Sequence, residues 1–294
     1  MKKLFTLLVF LGTVSMLHAI SPYLMIGSFE GDISSVEQQI VKALDAEGFE
    51  IIGQYNPGNN SGQRIIVYSR NDLKQLCSEV KDRGMLAAAL KIGIRERKGL
   101  MQVTMLNPEY LFYAYLRDEM ENSSTKNAAM NVAESAKKAM STMGTDLEAF
   151  GGNIKADDLK KYKYMMGMPK FDDPVVLNEY GSFEEGLQII NGNLTRGEGN
   201  TFKVYEIIDK VNKIAVFGVG LLDPEKGESH FLGIIGEKHI AAMPYEIILQ
   251  GNTVSMLHGR FRFASHWPEL TMGTFTKIMS SPGDVEDFMK SIAE

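Results

Sequence analysis

A single cysteine, Cys77, stands in a chain of 294 residues. No internal disulfide can form, and the Cys-x-x-Cys-His signature of covalent haem attachment is missing. Leu73, Leu76, Cys77 and Val80 fall on one face of an expected helix, the pattern of a buried apolar thiol. Catalytic and nucleotide-binding signatures are also absent. There is no Gly-x-Ser-x-Gly, no His-Glu-x-x-His and no P-loop, and Gly218-Val219-Gly220 lacks the third glycine and the helix start of a dinucleotide site. The adjacent acids Asp157-Asp158, Asp172-Asp173 and Glu184-Glu185 would point apart on a strand, and they suit solvated faces or helix first turns better than a catalytic dyad. Positive charge is not in excess: 31 Lys and Arg stand against 37 Asp and Glu, a formal net charge of −6. That balance argues against nucleic acid or an anionic membrane as the main partner. The hydrophobic share of 44% and the charged share of 23% are those of an ordinary globular protein, long enough to build cores without staples.

Past the amino terminus no apolar run approaches the roughly 20 residues of a membrane-spanning helix. The terminus itself has the form of a secretory signal. Lys2 and Lys3 precede the apolar run Leu4 to Leu17, and Leu17-His18-Ala19 ends in a small residue suited to cleavage. Residues 1–19 are therefore expected to be a signal peptide and the mature protein to be periplasmic or secreted, without membrane insertion. No cysteine follows the apolar run, so lipoprotein attachment is not expected. Loss of two lysines and no acids would take the net charge from −6 to −8.

What the chain does have is an internal repeat. Gly27-Ser28-Phe29-Glu30 returns as Gly181-Ser182-Phe183-Glu184. In the same order, Phe49 to Ile52 is followed by its likeness Phe202 to Tyr205, Ile65 to Tyr68 by Ile214 to Phe217, and Leu86-Ala87-Ala88 by Ile240-Ala241-Ala242. Val103-Thr104-Met105-Leu106 then returns as Val254-Ser255-Met256-Leu257, and Pro108-Glu109-Tyr110 as Pro268-Glu269-Leu270 after an extra segment, His258 to Trp267. Periodicity and turn signals give each copy the order β-α-β-β-α-β-β-α. Hairpin-like strand pairs imply largely antiparallel sheets packed with helices, so the fold class is α+β with two homologous domains. The first domain is expected over 20–120 and the second over 179–294. Residues 121–178 form a helical linker, with helices at Thr125 to Met140 and Ala156 to Met166 broken at Gly151-Gly152.

Three features of the copies resemble the bacterial family known as domain of unknown function 302, in a tandem, diverged form. They are the strand ending in Ser28-Phe29-Glu30 before an amphipathic helix and Gly48-Phe49, the small-residue turn Ala241-Ala242-Met243-Pro244 into a strand, and Met105-Leu106-Asn107-Pro108 leading into a helix. The first copy departs from the pattern, with Ala89-Leu90-Lys91 where the turn proline would stand. The resemblance implies a compact, often exported α/β domain and supplies no catalytic residue.

The candidate sites lie in the second copy. His230, His239, His258 and His266 have no counterparts in the first. His258 and His266, with Met256 nearby, are the candidate metal ligands, since imidazole and thioether suit copper or a haem axial pair. The run Met165-Met166-Gly167-Met168 is a further thioether cluster, of the kind that binds Cu(I) or fills a domain interface. Between the histidines, Arg260 and Arg262 alternate with Phe261 and Phe263, and Trp267 follows. On an extended strand both arginines would share one face, so Arg260, Arg262 and Trp267 are the candidate ligand-binding residues for a small anion or a protein partner. The leading expectation is a non-enzymatic exported binding or accessory protein, without cofactor. The alternatives are a haem- or copper-binding redox protein and an enzyme whose site is assembled from residues distant in sequence.

Overall fold

A computed structural model describes residues 19–143, 147–162 and 164–294; the expected signal segment 1–18 lies outside them. After a short β1 (Ala19–Ile20), the first half runs β2 (Tyr23–Phe29), α1 (Ile33–Ala46), β3 (Glu50–Tyr55), β4 (Gln63–Ser69), α2 (Asn71–Glu79), β5 (Leu90–Arg97), β6 (Leu100–Leu106) and α3 (Pro108–Tyr115). A connecting stretch holds α4 (Ser123–Ser141), β7 (Glu148–Phe150), β8 (Ile154–Lys155) and α5 (Ala156–Leu159). The second half runs β9 (Val175–Glu179), α6 (Phe183–Arg196), β10 (Thr201–Asp209), β11 (Ile214–Leu221), α7 (Glu228–Ile235), β12 (Tyr245–Gln250), β13 (Thr253–Met256), α8 (Gly259–His266), α9 (Met272–Phe275) and α10 (Ser281–Ala293).

The fold is α+β, and its two main sheets share one plan. The first is ordered β3-β4-β5-β6-β2-β7 and the second β10-β11-β12-β13-β9, with every pairing antiparallel. Strand for strand the orders agree, except that β7 extends the first sheet beyond β2. Local chemistry explains the matching helices that follow the first strands. Asp32 accepts the Ser35 N–H at 2.7 Å to start α1, and Val36, Ile40 and Leu44 form its buried stripe. Ser182 starts α6 by accepting the Glu185 N–H, while the Glu185 carboxylate accepts from Gly181 N–H at 2.8 Å. Cys77 is fully buried on α2 beside Leu73, and burial pushes its thiol pKa up, which makes it unreactive.

α4 packs on α1, α2 and α3, as α10 packs on α6 and α8. The expected helix Ala156 to Met166 stops at Leu159. Beyond it Tyr162 and Tyr164 spend their hydroxyls on the carbonyls of Ala264 and Leu270, and Gly167 takes a φ of +83° that ends any helical course.

The halves meet closely around one continuous core. β3 lies beside β10, where a Cβ on Gly53 would come within 2.5 Å of the Val204 carbonyl oxygen, so only glycine permits the approach. The short 3-10 helix Glu237–Ala242 rests on β5 and β6, and its first-half counterpart Gly84–Ala88 touches β11. β3 and β10 hold equivalent places in the two sheets, whereas the two 3-10 helices meet different strands of the opposite half.

Candidate functional site on the two faces of α8

The segment expected to be an extended strand with both arginines on one face is the helix α8. Its start explains the difference. Met256-Leu257-His258 follows β13 as Met105-Leu106-Asn107 follows β6. His258 Nδ1 accepts the Arg260 N–H at 3.2 Å, and Asn107 Oδ1 accepts the Glu109 N–H at 3.2 Å. α8 is thus the counterpart of α3, not an insertion, and Pro268 stands in a turn instead of opening a helix. Residues two apart on a helix face away from each other. Arg260 is exposed and Arg262 is 1% exposed, so the expected arginine pair is split between two environments.

The inner face of α8 lies against the first half. Tyr23 and Tyr110 donate their hydroxyls to the carbonyls of His266 and Ser265, each at 2.8 Å. The Tyr115 hydroxyl lies 3.0 Å from His266 Nε2. Tyr115 and His266 are the last residues of α3 and α8, so equivalent positions of the two halves touch. A second equivalent pair meets alongside: Lys91 of β5 is bonded to Glu246 of β12, and Lys91 Nζ also donates to the Pro244 carbonyl at 3.3 Å. Arg262 lies 3.6 Å from Glu246, donates to the carbonyls of Ala242 and Pro244, and stacks 5.0 Å from the Tyr245 ring centroid.

Burial lowers the Lys91 pKa to about 8 even with Glu246 supporting the charge. Burial, with the positive charges of Arg262 and Lys91, pushes His266 well below the ordinary histidine range. His266 is therefore neutral near pH 7, and its Nε2 can accept from Tyr115. A separate link joins the halves at Glu228, the first residue of α7. It accepts from the Tyr55 hydroxyl at 2.8 Å and the Gly58 N–H at 3.1 Å, and burial raises its pKa to about 8.

The three candidate metal ligands do not converge. His258 caps one end of α8 and His266 closes the other, an axial separation of about 12 Å at 1.5 Å per residue. Both imidazoles cannot reach one ion. Met256 is buried at the end of β13, and among the described residues no three His, Cys, Asp or Glu side chains gather as a metal requires.

The outer face of α8 carries a cavity of about 60 Å³, closed on its far side by the segments 164–168 and 270–275. Trp267, Phe263 and Leu270 form its aromatic and aliphatic wall, and Met165, Met168 and Met272 bring thioethers to it. Arg260 is the only charged side chain on the lining among the described residues. Two hydrogen bonds hold the connecting stretch over the helix, Tyr162 to the Ala264 carbonyl at 3.0 Å and Tyr164 to the Leu270 carbonyl at 3.3 Å. The Trp267 indole N–H is buried and has no partner among the described residues. Phe263 stacks on Trp267, with ring centroids 5.4 Å apart, and so joins the cavity to the core.

Two of the three candidate ligand-binding residues, Arg260 and Trp267, thus line one cavity, and Arg262 points away from it into the interior. Lys91, Glu246 and Tyr115 carried no recognisable motif. Their one signal was a charge inside a strand apolar on both sides, Leu90-Lys91-Ile92 and Tyr245-Glu246-Ile247.

No family model matches the chain, and no curated protein matches it. Among solved structures it is similar to an uncharacterized conserved protein DUF302 from Bacillus stearothermophilus, at 12% sequence identity and a TM-score of 0.33. The match covers 40% of this chain and 95% of that one.

Proposed function

We propose that the protein is an exported, non-enzymatic binding protein that holds a small apolar acid in the Trp267 cavity. The observation that carries this reading is the lining: aromatic and thioether walls around one guanidinium. Such a lining suits a ligand with an apolar body and a single acid group, the acid meeting Arg260 and the apolar body meeting the Trp267 and Phe263 rings. A void of about 60 Å³ is smaller than the roughly 150 Å³ that encloses a benzene ring, so the ligand's apolar body is held only in part between these walls. The motifs that resemble the domain of unknown function 302, the signal-like start of the chain and the missing catalytic motifs accord with this reading.

Trp267 is the only tryptophan, so its fluorescence reports on the cavity without labelling. Titration with phenylacetate should change that fluorescence saturably. Arg260→Met should weaken phenylacetate binding about tenfold, the loss of one charge-assisted contact, and leave binding of the neutral analogue phenylethanol unchanged. Fluorescence that stays flat with both compounds would exclude the reading.

A further inference from the structure

The methionines of this chain are sorted by exposure, and the sorting has a location. Met105, Met243 and Met289 are fully buried, Met256 nearly so, and Met85 is 2% exposed, all within the core. The exposed ones among the described residues are Met165, Met166, Met272 and Met279, at 46%, 91%, 54% and 64%. They lie in two stretches of chain, the turn after α5 and the segment from α9 to the start of α10; Met165 and Met272 line the Trp267 cavity, and Met166 and Met279 belong to the same stretches but not to its lining. Solubility does not call for a thioether at such positions, since any polar side chain would serve better. Flexible, polarizable methionine adapts to a ligand, and it is also the apolar side chain that mild oxidants convert to a polar one.

We infer that Met165, Met166, Met272 and Met279 form a reversible oxidation site, and that the sulfoxides of the two on the lining, Met165 and Met272, weaken ligand retention in the cavity. With hydrogen peroxide as oxidant, a thioether lone pair attacks one peroxide oxygen. The S–O bond forms as the O–O bond breaks, sulfur loses two electrons, and the departing hydroxide takes up a proton to leave as water. The product carries a strong dipole and a hydrogen-bond acceptor where the wall was apolar. In the ligand-bound state those acceptors would be stripped of water without a partner in the apolar lining, apart from the Arg260 guanidinium that the ligand's own acid group needs. Methionine sulfoxide reductase, with a thiol as electron donor, reverses the step, and the exposed positions leave the sulfoxides open to it.

The gating half of this inference rests on the proposed ligand; the location of oxidation does not. The test treats the whole protein with limiting hydrogen peroxide, maps added oxygen by peptide mass spectrometry, and titrates phenylacetate by Trp267 fluorescence before and after. Oxygen should enter the four exposed methionines well before Met85, Met105, Met243, Met256 or Met289. Phenylacetate affinity should fall about tenfold and return after the reductase and dithiothreitol. A variant with Leu at all four positions should keep its affinity through the same treatment. Oxygen spread evenly over exposed and buried methionines would overturn the inference, as would selective oxidation with unaltered affinity. If the untreated protein ignores phenylacetate, the ligand reading fails while the oxygen map still decides whether this is the oxidised site.

Discussion

Glu228 shows how one buried side chain can make stability depend on pH. It is fully enclosed at the start of α7, and burial raises its pKa from 4.5 to about 8 while the bonds from Tyr55 and Gly58 oppose the shift. A carboxyl whose folded pKa lies above its unfolded one stabilises the fold in its neutral form. That contribution is complete below the unfolded value and is lost as pH rises through the folded value. Stability should therefore decline between about pH 4.5 and 8, by at most about 5 kcal/mol. Glu228→Gln, measured by urea unfolding across that range, should flatten the decline. His239 works in the other direction. Burial lowers its pKa to about 4, so the folded state prefers the neutral ring, and its contribution is lost as pH falls from about 6.5 towards 4. Replacing His239 by Gln should remove part of the acid-side loss in the same unfolding series.

The element that matters most is α8, which presents Arg262 and His266 to the interior and Arg260 and Trp267 to the cavity. Its amphipathic split was hidden because Arg-Phe-Arg-Phe alternates as a strand does, and two-residue alternation outweighed the helical reading. The helix is set by context: the His258 cap, and Pro282, which crowds Gly259 so closely that a Cβ there would lie 2.7 Å from the Pro282 carbonyl oxygen. Gly259→Ala should lower stability by about 1–3 kcal/mol through overpacking against fixed backbone. Gly273→Ala meets nothing within 4 Å and serves as the control. Differential scanning calorimetry of the two variants separates them. By contrast α1 and α6 were legible, because their caps and apolar stripes are local features that need no partner.

At the scale of the whole molecule the halves are joined by unlike residues at equivalent places. Lys91 meets Glu246, and Tyr115 meets His266. Two identical copies would set like against like at these places, whereas lysine against glutamate makes the pairing of these two halves specific. The ion pair is buried at 3% and 9% exposure, so removing one partner strands a charge in the core. Glu246→Ala should cost about 3–5 kcal/mol, more than the joint replacement of Lys91 by Met and Glu246 by Leu. A double-mutant cycle by urea unfolding reads the difference. Equal losses in the single and double variants would mean that the pair adds nothing to the joining of the halves.

The sequence alone determined the α+β class and the strand-helix order of both halves, because hydrophobic period, caps and turn residues act within a few positions of one another. It also marked Arg260 and Trp267, through an aromatic and cationic composition that is visible in one short run. The tertiary structure decided that Arg260 and Arg262 serve opposite faces and that His258 and His266 stand a helix length apart. It likewise brought Lys91 to Glu246 and closed a methionine-rich segment over Trp267. The ion pair and the cover over Trp267 depend on contacts between residues about 100 or more positions apart, and the helical course of α8 on its cap and on the Pro282 backbone packed against Gly259, so packing and not strand-like alternation selects them.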